Sequence, residues 1–173
     1  MSHPGRVNVD DDPPTLSGDP PESRLAAAGI VLPDHPPNPI GAFVNVRVHR
    51  DLAYVSGQGP VGPDGTLKRG KVGAEISAEI ARDHARLVGL NILAALRSHL
   101  GSLDHVASVV KLLGMVNAVP DFERHPFVID GASNLMSEVF GPAGQHARSA
   151  IGVASLPNNI TVEIEAIFEL VQR

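Results

Sequence analysis

The sequence predicts an α+β domain with two helices on one face of a mostly antiparallel sheet. Strand-like stretches lie towards both ends, two segments with helical spacing lie between them, and the last strand alternates between apolar and polar residues. The 173 residues suffice for one core and are few for two domains. We expect a flexible, acidic, proline-rich tail over residues 1–22 and a single domain over residues 23–173.

The first half of the domain contains signals for two helices and a hairpin. Ser23 is the predicted N-cap of a short helix that Gly29 ends. The stretches "FVNVRV" and "LAYVSGQ" predict two strands joined through "HRD". A long helix is predicted from about Ser77 to Leu100, because apolar residues recur at helical spacing without an internal proline, and Gly101 ends it.

The second half begins with an ambiguous stretch, "GSLDHVASVVKLLGMVNAV". Ser102 could cap a turn of helix, but the β-branched content favours a strand from about Val106. Val110, Leu112 and Val116 would then lie on the same face of that strand as Val106. A second helix is predicted from about Pro126 to Phe140, and the last strands are "ARSAIGVAS" and "ITVEIEAIFELV".

The turn "LPNN" predicts that these two last strands pair as a hairpin. In the last strand, the even-numbered residues from Ile160 to Leu170 form the core face, and the other face carries Thr161 and three glutamates. The hairpin register places Arg148 opposite Ile167, on the face away from the core.

The same register places three small residues beside that arginine, namely Ala150, Gly152 and Ala154. Small residues on an outer sheet face indicate close approach by another sheet, so we expect this face to be buried in an oligomer. A buried Arg148 would need a carboxylate or phosphate partner. The alternative is a surface ion pair with Glu165 or Glu169, which contributes little to stability.

Composition narrows the function classes. The net charge of −5 argues against a nucleic-acid partner, and no apolar run of about 18 residues predicts a membrane span. The absence of cysteine excludes disulfides and thiol catalysis. The eight histidines form no HExxH arrangement, so neither a metal nor another cofactor is expected. The N-terminal stretch has no secretory h-region, and a cytoplasmic protein is the simplest interpretation.

Three stretches, "SGQGP", "GSLDHVASVVK" and "ARSAIGVASLPNNITVEIEAI", resemble the Rid family of imine and enamine deaminases. This is the YjgF-like group, also labelled L-PSP endoribonuclease, and the resemblance runs from about Pro39 to Val171. It implies a chorismate-mutase-like fold and a homotrimer whose active sites lie in the clefts between subunits. It further implies a reaction without cofactor or metal, in which water converts a 2-imino or enamino acid into a 2-oxo acid and ammonia.

The resemblance also implies roles for individual residues. Arg148 would bind the substrate carboxylate, and Glu163 would position or activate the attacking water. Ser56 and Gly57 would line the pocket. Two further pocket positions depart from the common pattern, since Phe43 stands where a tyrosine is usual and Ala150 stands where a cysteine is frequent. These departures bear on the identity of the substrate more than on the class of reaction.

Two other functions remain open at this point. The chain could be a trimeric scaffold that binds a small carboxylate through Arg148 or acts like a chaperone, without turnover. A ribonuclease is the third possibility, which the acidic charge and the absence of a basic stripe disfavour.

Overall fold

The computed structural model of the protein describes residues 18–172. Within this range three helices and five strands follow one another along the chain. Their bounds are α1 Pro21–Ala27, β1 Val46–His49, β2 Leu52–Gln58, α2 Ala78–Leu100, β3 Val106–Asn117, α3 His125–Phe140, β4 Ala147–Val153 and β5 Val162–Leu170. Most of the expected tail, residues 1–17, lies outside the described residues.

Helix α1 begins three residues earlier than predicted. Pro20 occupies the N-cap and Pro21 the first turn, where a missing N–H is tolerated, so the prediction that Ser23 caps this helix is wrong. The carboxylate of Glu22 accepts a hydrogen bond from the backbone N–H of Leu103 at 3.0 Å and lies 3.5 Å from Arg97. Residues 21 and 22 therefore pack on the folded body.

Helix α2 has the predicted bounds and both predicted ends. The hydroxyl of Ser77 accepts a hydrogen bond from the backbone N–H of Ile80 at 3.2 Å. Gly101 adopts a left-handed conformation with φ of 85° and donates to the carbonyl of Arg97 at 2.8 Å.

Helix α3 packs so closely on α2 that the backbones touch. A Cβ at Gly131 would overlap the carbonyl oxygen of Arg82 and approach the backbone nitrogen of Arg86 to 3.0 Å. On the facing helix, a Cβ at Gly89 would come 2.8 Å from a methyl group of Leu135. Glycines at this crossing bring the two helices together over one face of the sheet.

The strands form one sheet in the order β1-β2-β5-β3-β4. Neighbouring strands are antiparallel except for β3 and β4, which run parallel. The side chains under the helices are buried, and in β5 they are the ones that alternation predicts: Val162, Ile164, Ala166 and Phe168. The α+β class with helices on one face is confirmed.

Thr161 and Val110 depart from the predicted faces. Thr161 precedes β5, is fully buried, and lies 3.0 Å from Nδ1 of His84 on α2. Val110 falls at an irregularity in the β3–β5 register, between Val109 and Lys111, and its side chain is exposed.

The predicted hairpin between the last two strands is wrong, because β3 lies between β4 and β5. Helix α3 supplies the crossover connection that lets β4 pair in parallel with β3. The "LPNN" stretch does not close a hairpin. Its two asparagines, Asn158 and Asn159, have φ of 55° and 56°, and the chain then passes the end of β3, where Asn117 donates to the carbonyl of Ile160 at 3.1 Å.

The change of partner also reverses the predicted face of β4. Arg148 pairs with Leu112, a fully buried residue under the helices, and Ala150 pairs with Gly114. Arg148, Ala150 and Gly152 therefore lie on the helix-covered side.

Contacts within one chain account for the small residues on β4 and its neighbour β3. A Cβ at Gly152 would overlap the ring of His125 at the start of α3, and a Cβ at Gly114 would overlap Ile129. Ala154 follows β4, and its carbonyl accepts a hydrogen bond from Lys71. The small residues thus do not by themselves indicate an oligomer.

Candidate functional site

A cavity of about 250 Å³ lies at the end of β2, on the side where Glu163 points. Its walls come from the segment before β1, the end of β2 with the loop that follows it, the turn before β5, and Glu163 of β5 itself. The lining residues are Pro37, Asn38, Pro39, Ile40, Phe43, Asn45, Gly57, Gln58, Gly59, Val61, Leu67, Pro157, Asn158, Ile160 and Glu163. Glu163 is the charged residue of this lining, and the remainder is largely apolar.

Glu163 projects from β5 on the face away from the helices, opposite Met115 of β3. Burial raises the pKa of its carboxyl group, and the neighbouring negative charge of Glu165 raises it further. A carboxylate with a raised pKa is a stronger base than a fully solvated one, so the group suits the role of general base.

Gly57 makes room for that carboxylate. It lies in a register shift between Val55 and Gln58, and a Cβ at this position would overlap Oε1 of Glu163 and come 3.0 Å from its Cδ. Bulges commonly occur beside functional sites, where they redirect the chain. The predicted pocket residues Gly57, Glu163 and Phe43 are thus brought together around one cavity.

A hydrogen-bond network fixes the proline-rich wall of the cavity. The amide nitrogen of Asn45 donates to the carbonyl of Pro37 at 2.7 Å. The buried amide of Gln58 donates to Oδ1 of Asn45 at 3.3 Å and to the carbonyl of Ser56 at 3.2 Å. Sequence reasoning missed Asn45 and Gln58 as supports of the site, although the "SGQ" stretch contains Gln58.

Ser56 lies beside the cavity and faces an adjoining groove of about 400 Å³. Its hydroxyl donates to the carbonyl of Val44 at 2.8 Å. Phe43 lines both spaces, and the groove also contains Tyr54 and Glu165. Ser56 therefore supports the wall through Val44 instead of pointing into the Glu163 cavity.

Arg148 lies on the other side of the sheet from Glu163. Its Nη1 donates to Oδ1 of Asp130 at 2.7 Å and to the hydroxyl of Ser133 at 3.0 Å, both on α3. The alternative of an ion pair is correct in kind, but the expected partners, Glu165 and Glu169, are wrong. The side chains of these glutamates lie on the face away from the helices, whereas Arg148 lies on the helix-covered face.

His146 also contacts Ser133, the residue whose hydroxyl accepts from Arg148. It is half-buried, with Nδ1 2.7 Å from the carbonyl of Gly144 and Nε2 3.0 Å from the hydroxyl of Ser133. The one-turn spacing of Asp130 and Ser133 on a predicted helix was the available signal for the partners of Arg148. Within one chain, the structure brings Gly57, Phe43 and Glu163 together and leaves Arg148 and Ala150 on the opposite face.

Among residues 18–172, no cluster of three or more His, Cys, Asp or Glu side chains could hold a metal ion. In the same range, no helix is long and apolar enough to cross a membrane.

The fold, with its cavity beside β2, defines a small α+β domain of a known type. A family model described as "YjgF/chorismate_mutase-like, putative endoribonuclease" matches residues 22–170. The chain therefore belongs to the YjgF-like, or Rid, family, and its chorismate-mutase-like fold is confirmed.

Individual relatives agree with this assignment. The Trypanosoma cruzi protein TCP17 is 41% identical over 149 residues, which cover 86% of this chain and 92% of that protein. A crystal structure of an Agrobacterium tumefaciens protein of unknown function is 40% identical, covers 87% of this chain and 94% of its own, and superposes with a TM-score of 0.78. A Shewanella oneidensis structure described as a "putative endoribonuclease" is 32% identical, covers 88% of this chain and 100% of its own, and has a TM-score of 0.83.

Proposed function

We propose that the protein hydrolyses reactive 2-imino and enamino acids to 2-oxo acids and ammonia. The observation that carries the proposal is the Glu163 carboxylate, which lies against Gly57 in a largely apolar cavity and has a raised pKa. A group of this kind can hold a water molecule and take its proton. General-base catalysis of this type contributes about 10²- to 10⁴-fold in rate.

The reaction balances with water as the co-reactant. Glu163 accepts a proton from water while the water oxygen bonds to the imine carbon, and the C=N electron pair moves to nitrogen. When the imine starts protonated, the resulting neutral carbinolamine takes the proton back on nitrogen from Glu163, and ammonia leaves with the C–N electron pair. The hydroxyl proton passes to Glu163 as the C=O group forms and then to ammonia, which restores the free carboxylate. An enamino acid first takes a proton on carbon, which gives the same imine.

A carboxylate anchor completes the proposed site, and Arg148 is the candidate. Because Arg148 and Glu163 lie on opposite faces of one sheet, we infer that a shared site takes Arg148 from one subunit and Glu163 from another. A homotrimer with clefts between subunits, as the family resemblance implies, would meet this requirement. The face away from the helices also carries exposed apolar side chains, including Tyr54 and Ile151, that a second copy would cover.

The test is hydrolysis of imines made by an amino-acid oxidase, with semicarbazide to trap what remains. Arg148→Ala should lose most of kcat/KM, and Arg148→Lys should recover part of it, because a lysine cannot reproduce the bidentate fork. Glu163→Gln should lower kcat while retaining affinity for a non-reactive 2-oxo acid. Arg124→Ala and Glu138→Gln are matched controls, since both residues are exposed and lie outside the Glu163 cavity.

Mixing the two inactive variants tests whether the site is shared. If Arg148 and Glu163 come from different subunits, oligomers assembled from Arg148→Ala and Glu163→Gln chains should regain activity at about a quarter of their sites. A site within one subunit would show no recovery. Light scattering should give three times the chain mass, and a monomer would contradict the trimer.

A carboxylate-binding scaffold is the second candidate, and the existing bond between Arg148 and Asp130 favours it. This scaffold would bind 2-oxo acids through Arg148 but would not accelerate the hydrolysis of any imine, and Glu163→Gln would have little effect. The cavity gives no support to a ribonuclease, since the charged residue of its lining is a glutamate and phosphate binding requires cations.

A further inference from the structure

The guanidinium of Arg148 is held by one of its three nitrogens. Nη1 donates to Asp130 and Ser133, which lie one turn apart on α3. Among the described residues, Nη2 and Nε have no hydrogen-bond partner. The side chain of Arg148 is 22% exposed and that of Asp130 is 43% exposed, so solvent reaches the pair. One edge of the guanidinium, formed by Nη2 and Nε, is thus left for a further acceptor.

Each hydrogen bond in the chain from Arg148 through Ser133 and His146 to the carbonyl of Gly144 has a defined donor and acceptor. The carbonyl of Gly144 can only accept, so Nδ1 of His146 carries the hydrogen in their 2.7 Å bond. Burial lowers the pKa of His146, and the charge of Arg148 lowers it further, against an opposing effect of the bond to Gly144. The neutral ring then offers Nε2 as an acceptor to the hydroxyl of Ser133, whose oxygen accepts from Arg148.

This chain of hydrogen bonds limits the rotation of both Ser133 and Arg148. A bidentate contact between arginine and carboxylate needs two N–H groups in a fixed plane. Holding that plane before the ligand arrives removes part of the entropy cost of binding. At the same time, the negative charge of Asp130 offsets the positive charge of Arg148 and weakens its attraction for a second carboxylate.

We propose that Asp130 and Ser133 are positioning residues, which hold Arg148 by Nη1 and present its Nη2–Nε edge to the carboxylate of a small 2-oxo or 2-imino acid. The proposal rests on the function proposed above, because it assigns Arg148 the role of carboxylate anchor. It adds that Asp130 limits the affinity of the anchor while fixing its orientation.

Calorimetric titration with pyruvate and with its uncharged amide, pyruvamide, separates these effects. Asp130→Asn keeps an oxygen that can accept from Nη1 and removes the charge, so pyruvate should bind about three- to tenfold more tightly at low salt. The double variant Asp130→Ala, Ser133→Ala removes the same charge and also frees the guanidinium, so pyruvate should bind it about tenfold more weakly than it binds Asp130→Asn. Pyruvamide should bind alike to all of these proteins.

The matched control is Glu138→Gln, which removes a different α3 carboxylate that pairs with Arg86. It changes the net charge by the same amount as Asp130→Asn and should leave pyruvate binding unchanged. Thermal unfolding of each variant identifies a loss of structure. A lower melting temperature with an unchanged ratio of pyruvate to pyruvamide affinity would show a merely structural role and overturn the proposal.

The proposal is also overturned if wild type fails to bind pyruvate or if Arg148→Ala binds it equally well. It is likewise overturned if the affinity for pyruvate is unchanged in both Asp130→Asn and the double variant. If pyruvate binds through Arg148 with the expected variant effects while no imine is hydrolysed, the positioning role stands and the proposed hydrolysis fails. The two proposals can therefore fail separately.

Discussion

Gly57 and Glu163 lie against each other across β2 and β5, and the glycine leaves the space that the carboxylate occupies. A Cβ at residue 57 would overlap Oε1 of Glu163. The position of the proposed general base is therefore set by the absence of a side chain on the neighbouring strand.

Replacing Gly57 with alanine should displace the Glu163 carboxylate and leave the fold intact, since the obstructing group is a side chain that can rotate. We expect kcat for imine hydrolysis to fall about 10- to 100-fold, because misplacing a catalytic group by about 1 Å costs rate in this range. Gly41→Ala is the control, as a Cβ there would lie 3.4 Å from the ring of Phe43, an ordinary contact. Full activity of Gly57→Ala would show that the observed carboxylate position is not the one used.

Glu163→Gln should stabilise the protein at neutral pH while it lowers activity. Burial raises the pKa of this carboxyl group, so the folded state disfavours its charged form. The stability that the protonated form provides is complete below the unfolded-state value of 4.5, and it is lost as pH rises through the folded-state value. Glutamine has no charge to desolvate, so the melting temperature should increase at pH 7.

The comparison with wild type should depend on pH. The difference in melting temperature between Glu163→Gln and wild type should shrink as pH falls towards 4.5, where the wild-type carboxyl is protonated in both states. Glu169→Gln should retain activity and provides a matched change of charge on the same strand, at a residue that lines neither the cavity nor the adjoining groove. A melting temperature that falls in Glu163→Gln at pH 7 would contradict a desolvated carboxylate.

The hydrolysis rate should follow the same ionisation. Since Glu163 acts as a base in its charged form, kcat/KM should rise with pH through an apparent pKa above the ordinary glutamate value of 4.5. Glu163→Gln should lack this acidic limb. An acidic limb that persists in Glu163→Gln would assign the ionisation to another group.

Local signals in the sequence predict most elements correctly. The Ser77 cap and Gly101 define α2, and the β-branched content from Val106 defines the start of β3. These features depend on interactions within a few residues. Alternation also identifies the buried face of β5, because one face of that strand is fully covered by helices.

The environment of Arg148 could not be predicted in the same way. Its face depends on which strand lies beside β4, and that choice is made by the α3 crossover and not by the adjacent "LPNN" turn. The assumption that consecutive strands pair put the arginine beside the glutamates of β5. Its actual partner, Asp130, comes from a helix that packs over β4, and such a contact follows only from the complete topology.

The close contact between α2 and α3 predicts a strong difference between two glycines. Gly131→Ala would place a methyl group against the carbonyl of Arg82, which is backbone and cannot rotate away. We expect it to lower the free energy of unfolding by about 3 kcal/mol. Gly89→Ala is obstructed by a methyl group of Leu135 and contacts Ala132 at an ordinary distance, so the gain in helix propensity of about 1 kcal/mol should offset much of the cost.

Denaturant unfolding of these two variants provides the measurement. Both substitutions add one methyl group at a glycine in the same helix pair, so they differ mainly in what that group meets. Equal losses of stability would mean that the helices can separate slightly at the crossing, in contradiction to a fixed backbone contact.

The last prediction concerns Glu22, which sequence reasoning assigned to the tail. Its carboxylate accepts from the backbone N–H of the buried Leu103, so Glu22→Ala should lower the free energy of unfolding by about 1 to 3 kcal/mol, the cost of an unsatisfied buried donor. Glu22→Gln retains an acceptor and should lose less. Glu79→Ala is the control, because the pair of Glu79 with Arg124 is exposed to solvent and contributes little to stability.

Deletions at the N-terminus test the same contact between Glu22 and Leu103. Removing residues 2–22 should lower the melting temperature by several degrees, because it removes the buried Pro21 along with Glu22. The sequence-based expectation of a flexible tail over residues 1–22 is instead that this deletion leaves the melting temperature nearly unchanged, and a deletion of residues 2–17 serves as the comparison. Suppose that both deletion variants unfold at the wild-type temperature and that Glu22→Ala does not change the free energy of unfolding. The contact between α1 and Leu103 would then contribute nothing to stability, and a tail that ends at residue 22 would be the better description.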